Sequence, residues 1–391
     1  MAISNSLRFR TVTVSAIACA AISVSLAAPV SAQPELGNVL AISASTADPA
    51  FARFAPSSDR IEHRIDYAAW DEAMRYIVFP MGRSLRQTAG RPETGLGSRR
   101  QYGHDSRYRL EGNRVMFSFF DEELRNGIRD YLTELEGTPG LIEFTRIPRN
   151  EQLAFWINLH NVALMDQIAH NWPVRQPGSI EIDGVPLDEA KFITVSGVKM
   201  SPKDIRTQIV FRHWKDPRVI YGFWRGDIGG PSIQRGAFNS ENIDRLLDRG
   251  ASDFINSLRG VQKRSDRLQV SKIYEEAAPF YFPDWQNDIR IHISKHAETE
   301  VQQLLSKTEK VEATIYEADI ADLAGGVREP SYSNITSDGT ARRFRIPQGM
   351  AALLREHDTK MDRIEREGRT GTVFFVDIQL PGEEEVDDEI E

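Results

Sequence analysis

Residues 150–172, NEQLAFWINLHNVALMDQIAHNW, limit what this chain can fold into more than any other stretch. Asn150 suits a helix N-cap, and the Glu151 carboxylate suits the positive end of the helix dipole. Pro173 ends the run, so roughly twenty residues form a rod of about 30 Å, the diameter of a small domain. Leu153, Phe155, Trp156, Ile157, Leu159, Val162, Leu164, Met165 and Ile168 are not confined to one stripe. A helix that is apolar almost all round belongs inside the protein. The same rod carries Glu151 and Asn158, which point within about 20° of each other, with Asn161 nearby. Buried polar groups need partners, so this stripe is either an internal hydrogen-bond anchor or one wall of a site.

The rest of the sequence narrows where such a core is used. Arg8 and Arg10, an apolar run over residues 12–28, and Val30-Ser31-Ala32 ahead of Gln33 read as a secretory signal over residues 1–32. The expectation is export to the periplasm, with no membrane span in the remaining chain. Cys19 is the only cysteine and leaves with the signal. The mature chain then has no disulfide, thiolate nucleophile or cysteine metal site, and must rely on its core. The formal charge of −9 becomes −11 without Arg8 and Arg10, which argues against a nucleic-acid partner.

Read in order, residues 33–59 form a linker and residues 61–79 hold a first helix with Tyr67, Trp70 and Met74 at helical spacing. Residues 82–114 are rich in glycine and arginine. They read as a long loop, either solvated or a contact surface in which Arg99, Arg100, Arg107 and Arg109 meet an anionic envelope ligand. Next come a strand at 114–119, a helix at 121–136 stopped by a turn at 137–139, and a hairpin over 192–200 hinged at Gly197. Ser201-Pro202-Lys203-Asp204 is a helix start for a run to about His213. A buried strand at 219–224, a glycine-rich turn and a helix at 241–258 capped by Ser240 follow. A strand or helix start at 268–274, a helix at 285–305 and a strand at 311–315 complete the domain. Residues 325–391 form an extension: a linker, a helix at 347–367, a strand at 372–380 and an acidic tail over 383–391.

AFWINLHN at residues 154–161 resembles the AFWINLYN signature of the bacterial family known as domain of unknown function 547. The features after it keep that family's order. A Gly-containing hairpin stands at 195–198, and the counterpart of L-D-D-I-E-H at 200–207. Asp216-Pro217-Arg218 precedes a strand at 219–223. The counterpart of the S-C-P turn is at 229–231, a helix ends in Phe254-Ile255-Asn256, and Ser271-Lys272-Ile273 stands for S-K-I. The likeness spans roughly residues 60–324. It implies an α+β fold related to papain-like peptidases: a buried central helix packed on a small mixed or antiparallel sheet, plus a C-terminal helix-strand extension.

The resemblance also implies a catalytic set of cysteine, histidine and glutamate, in which imidazole takes the thiol proton and a carboxylate fixes the tautomer. Carried over, Glu151 stands at the glutamate, Thr207 at the histidine and Gly230 at the cysteine. Glycine has no nucleophile and threonine no useful base at neutral pH, so the resemblance implies a scaffold without its chemistry.

Other chemistries compete with that reading. Ser232, two residues past Gly230, is either a relocated nucleophile served by His160, His170 or His213, or simply a turn residue. His292 and His296 are four apart, but no Glu or His completes a spacing such as H-E-x-x-H; they read as surface histidines, with no metal or cofactor expected. A surviving cleft lined by Glu151, Asn158, Arg206, Thr207, Arg225, Asp227 and Ser232 would hold a peptide or an anion. Arg225 has a second reading, a salt bridge to Asp227 or a neighbouring acid. The expected function is therefore a non-catalytic binding or scaffolding protein of the cell envelope. A periplasmic peptidase-like or esterase-like hydrolase using Ser232 is the alternative, and a purely structural protein the third possibility.

Overall fold

The computed structural model of the protein describes residues 46–91, 103–329, 332–335 and 344–368. The signal segment expected at residues 1–32 with Cys19, Arg99 and Arg100, the strand expected at 372–380 and the acidic tail lie outside the described residues. The described chain is α+β, with long helices and small sheets. No helix in it is long and apolar enough to cross a membrane.

The central helix spans Arg149–Asn171 and is buried continuously from Glu151 to Asp166. Its cap differs from the expected one. Pro148 is the N-cap residue, and its carbonyl accepts from Glu151 N at 2.9 Å and Gln152 N at 3.0 Å. Asn150 lies inside the first turn, and the Glu151 carboxylate reaches other segments instead of its own helix end. Helix Glu122–Leu141 lies along this rod, capped by Asp121, whose carboxylate accepts from Leu124 N at 2.8 Å. Arg129 ties the two together through both oxygens of the buried Asp166, at 3.1 and 3.0 Å. The turn expected at 137–139 is helical, with Pro139 in the last turn of a helix that ends two residues later at Leu141.

Strands Ile193–Val195 and Val198–Met200 form the expected hairpin, with Ser196 and Gly197 both at positive φ, the turn that suits two-residue hairpins. Ser201 then opens a helical run with a complete capping box: its Oγ accepts from Asp204 N, and Asp204 accepts from Ser201 N, both at 3.0 Å. The run continues as a π-helix over Ile205–Val210 and ends with Phe211–His213.

The strand expected at 219–224 is instead a 3₁₀ helix, Pro217–Gly222. Asp216 caps it by accepting from Arg218 N at 2.9 Å, and Pro217 supplies the helical φ at its first position. Gly222 lies so close to the central helix that a Cβ there would sit 2.7 Å from Ile157 Cδ1. The next helix covers Ile243–Ile255, and its start is organised by Asn239 and Asn242 rather than by Ser240.

Strands Val261–Arg264 and Arg267–Ser271 are antiparallel, and Lys310–Ile315 joins the second in parallel, giving a mixed three-stranded sheet. A parallel pair needs a crossover. Helices Ile273–Tyr281, Trp285–His296 and Thr299–Ser306 provide it. The single helix expected over 285–305 breaks at the extended Ala297, where Asn256 Oδ1 accepts from Glu298 N at 2.7 Å. Beyond the sheet, strands Tyr332–Ile335 and Phe344–Pro347 pair antiparallel and lead into helix Gln348–Arg366. Met350, Ala351 and Leu353 of that helix pack on Phe79, Met81, Leu323 and Ala324.

Candidate functional site

The polar stripe of the central helix clamps backbone. Glu151 Oε1 accepts from Ile65 N at 3.1 Å and Oε2 from Ser240 N at 3.2 Å. Asn158 Nδ2 donates to Phe238 O at 2.7 Å while its Oδ1 accepts from Phe238 N at 3.0 Å. Asn161 does the same two residues apart, donating to Gly222 O at 2.9 Å and accepting from Trp224 N at 3.1 Å. Of the two readings open for this stripe, these contacts are those of an internal anchor.

A charged network sits farther along the helix. Arg206, on the π-helix, is fully buried and makes paired contacts with two acids. Glu276 is met at 2.7 and 2.9 Å, and Asp188 at 2.7 and 2.6 Å. Arg225 Nη2 adds a third arm to Glu276 at 3.0 Å. Arg206 Nη1 also meets His160 Nε2 at 2.9 Å. Guanidinium only donates, so Nε2 accepts and the imidazole proton is assigned to Nδ1, which faces Asn161 Oδ1 at 3.0 Å. Burial, reinforced by the Arg206 charge, pushes His160 down to about 3, so it is neutral. Burial alone would raise Asp188 and Glu276, but the arginines outweigh it and hold both below the usual carboxylate range. Asp227 goes the other way: burial outweighs Arg225 and raises it to about 6.

Gly230 lies in this neighbourhood. Its N donates to Asp227 Oδ1 at 2.6 Å, and a Cβ added to it would stand 2.9 Å from that oxygen and 3.4 Å from Arg225 Cβ. Where the resemblance puts a cysteine, the chain packs a carboxylate and an arginine stem. The structure thus brings Arg206, Arg225, Asp227 and Gly230 together. Thr207 follows Arg206 but spends its hydroxyl on Lys203 O at 2.9 Å. Glu151 stands nine residues before His160, about 13 Å along the rod. Among the described residues, Glu151, Thr207 and Gly230 exchange no hydrogen bond. The second reading of Arg225, a salt bridge to a neighbouring acid, holds with Glu276 as partner. Asp188 and Glu276 carried no local pattern in the sequence; only the buried arginine between them makes them part of one cluster.

Ser232 is held elsewhere. Its Oγ accepts from Arg259 Nη2 at 3.2 Å and Asn113 N at 3.4 Å. His160 is committed to Arg206 and Asn161, His170 to Asp166, and His213 lies beside Trp214. None of the three joins Ser232 among the described residues. His292 is not a surface histidine: it is buried, with Nε2 2.7 Å from the Tyr221 hydroxyl, which in turn meets Tyr274 at 2.9 Å. A polar partner inside the core explains why an imidazole is tolerated there. Among the described residues, no group of three or more His, Cys, Asp or Glu side chains is placed to hold a metal ion.

Of the described arginines of the 82–114 stretch, Arg109 and Arg114 are buried and Arg86 is half-buried, while Arg83, Arg91 and Arg107 are exposed. Arg107 hydrogen-bonds the Tyr108 hydroxyl and covers its ring. Arg109 is buried and grips both oxygens of Glu356 on helix Gln348–Arg366, at 2.7 and 2.9 Å. Arg114 donates to the carbonyls of Glu111 and Arg109 at 2.7 and 2.8 Å, stitching its own turn. Arg109 is therefore engaged internally, whereas Arg107 stays exposed over its neighbour Tyr108.

No curated protein and no solved structure matches the chain. The segment that carries the central helix, the hairpin, Arg206 and Gly230 is the part shared with a known family: residues 144–255 match the model described as protein of unknown function, DUF547.

Proposed function

We propose that the chain is an exported, non-catalytic binding or scaffolding protein, built on a domain related to papain-like peptidases whose chemistry has been lost. The observation that carries this reading is the packing around Gly230. The position assigned to a cysteine has no side chain, and the space a side chain would take is occupied by Asp227 and Arg225. The position assigned to a histidine base holds Thr207, whose hydroxyl is turned into its own helix. The arginines that would meet a bound acid, Arg206 and Arg225, are neutralised by Asp188 and Glu276. Export belongs to the reading through the basic n-region, apolar run and cleavage site at residues 1–32.

The test is a turnover assay. The mature protein and its Ser232→Ala variant are incubated with peptide and ester substrate panels. The expected outcome is no turnover above buffer by either. Turnover by the parent that disappears with Ser232→Ala would overturn the reading in favour of a hydrolase with a relocated nucleophile.

A further inference from the structure

A cleft of about 560 Å³ opens between helix Ala68–Ile77, the entry of the central helix and helix Ile243–Ile255. Glu151 and Tyr67 form part of its wall, and five arginines line it: Arg64, Arg75, Arg235, Arg245 and Arg249. Four carboxylates, Asp66, Asp71, Glu151 and Glu241, line it too, which leaves the lining with one net positive charge in a chain of net charge −9. Arg64 pairs with Glu241 and Arg75 with Asp71. Arg245 and Arg249 are exposed and have no ion pair or hydrogen bond among the described residues. They stand four apart on one helix face, a spacing at which like charges disfavour each other. Arg235 donates from Nη2 to the Arg75 carbonyl at 3.2 Å, while its Nε is buried without an acceptor. Its guanidinium is lowered by burial and by the neighbouring Arg75 charge. Tyr67 is 5% exposed, and burial with the adjacent Glu151 carboxylate raises its hydroxyl well above the ordinary range.

Crowded guanidinium groups with free donors are relieved by oxyanions, which accept paired charge-assisted hydrogen bonds. The volume falls in the range of small-molecule sites. We infer that this cleft binds a small ligand carrying two or more acidic groups, carboxylate or phosphate, held by Arg235, Arg245 and Arg249. The inference rests on the reading of the chain as a binding protein and supplies its ligand class.

The test is calorimetric titration of the mature chain, at low salt and near neutral pH, with citrate and with inorganic pyrophosphate. Glycerol serves as a neutral control. Arg245→Gln with Arg249→Gln is the variant, chosen because both side chains are exposed. Lys199→Gln with Lys215→Gln removes the same charge from exposed positions elsewhere. Binding of at least one anion, weakened by about tenfold or more in the arginine variant and unchanged in the lysine variant, is the expected result. Citrate alone identifies a carboxylate ligand, and pyrophosphate alone a phosphate ligand. No binding of either, or equal weakening in both variants, would overturn the inference. Matched thermal midpoints for the two variants exclude misfolding as the cause; if they differ, Arg235→Gln repeats the comparison. Failure here leaves the absence of turnover untouched, since that is read by a separate assay.

Discussion

Asn161 spends both ends of its amide on one short stretch of backbone, accepting from Trp224 N and donating to Gly222 O. Asn158 does the same at Phe238. Replacing either by alanine strands a buried N–H and a buried C=O at once, and each unmet group costs about 1–3 kcal/mol. Asn158→Ala and Asn161→Ala are each expected to lower stability by about 2–6 kcal/mol in urea unfolding, the range that the two stranded groups imply. A loss under about 1 kcal/mol would mean that water reaches those groups. Asp322 offers a pH signature at the same scale. It is fully buried, accepts from Gly326 N at 2.8 Å and Trp172 Nε1 at 3.2 Å, and burial raises it to about 6 from an ordinary 3.8. The folded state therefore binds the proton more tightly than the unfolded state. The stabilisation this gives is complete below about pH 4 and is lost as pH rises toward 6. Asp322→Asn removes that titration. The stability difference between parent and variant should change by about 2–3 kcal/mol between pH 4 and 7. Asp227 shifts in the same direction and stays in both proteins, so the comparison isolates Asp322. Parallel pH profiles would refute this assignment.

Helix Gln348–Arg366 shows how far an element can be foreseen. Its amphipathic spacing in the sequence gives its limits to within a residue, but not the surface it covers. That surface comes from three separate segments: Phe79, Met81, Leu323 and Ala324 form the apolar seat, and Arg109 meets Glu356. Lys360 donates to the carbonyls of Met81 and Leu110 at 2.8 and 2.7 Å. A chain ended at residue 347 should therefore lose about 4 kcal/mol, the burial of two large side chains such as Met350 and Leu353, and should bind an apolar dye. An unchanged thermal midpoint would show that the helix is not docked in solution. The same contrast runs through the other elements. The capping box at Ser201 and the Ser196-Gly197 turn are local chemistry, and both are where the sequence puts them. The strand expected at 219–224 is a 3₁₀ helix because an Asp-Pro start and contact with Ile157 overrule its apolar run. Asn150 loses the cap to Pro148, and the expected Ser240 cap gives way to Asn239, because Ser240 N is drawn to Glu151, a contact 89 residues away in sequence.

At the scale of the whole molecule, Arg206 decides how much of the candidate site was readable. As a residue it reads as a cation in a cleft; in the fold it joins the central helix through His160, the 181–192 segment through Asp188 and the crossover helix through Glu276. No pattern in the sequence connects residues 160, 188, 206 and 276, so its neutralisation could not be foreseen. Removing it should leave Asp188 and His160 without that donor and Glu276 with Arg225 alone, in a site where Arg206 itself is fully buried. Breaking such a pair by deleting one partner costs about 3–5 kcal/mol, and Arg206→Ala is expected to fall in that range. Arg206→Lys should recover only part of the loss, since an ammonium cannot meet two carboxylates side by side. The acid limb separates this role from simple packing. Asp188 and Glu276 are held below their unfolded values, so the stability they give is present above about pH 4 and lost as pH falls through their folded values. Glu276 is the more enclosed and should dominate, while Asp188, 42% exposed, is screened by water. Arg206→Ala should therefore flatten the decline in stability below pH 4, and Arg206→Lys should restore part of that slope. Acid profiles that run parallel in all three proteins would mean that the network is not what links these segments.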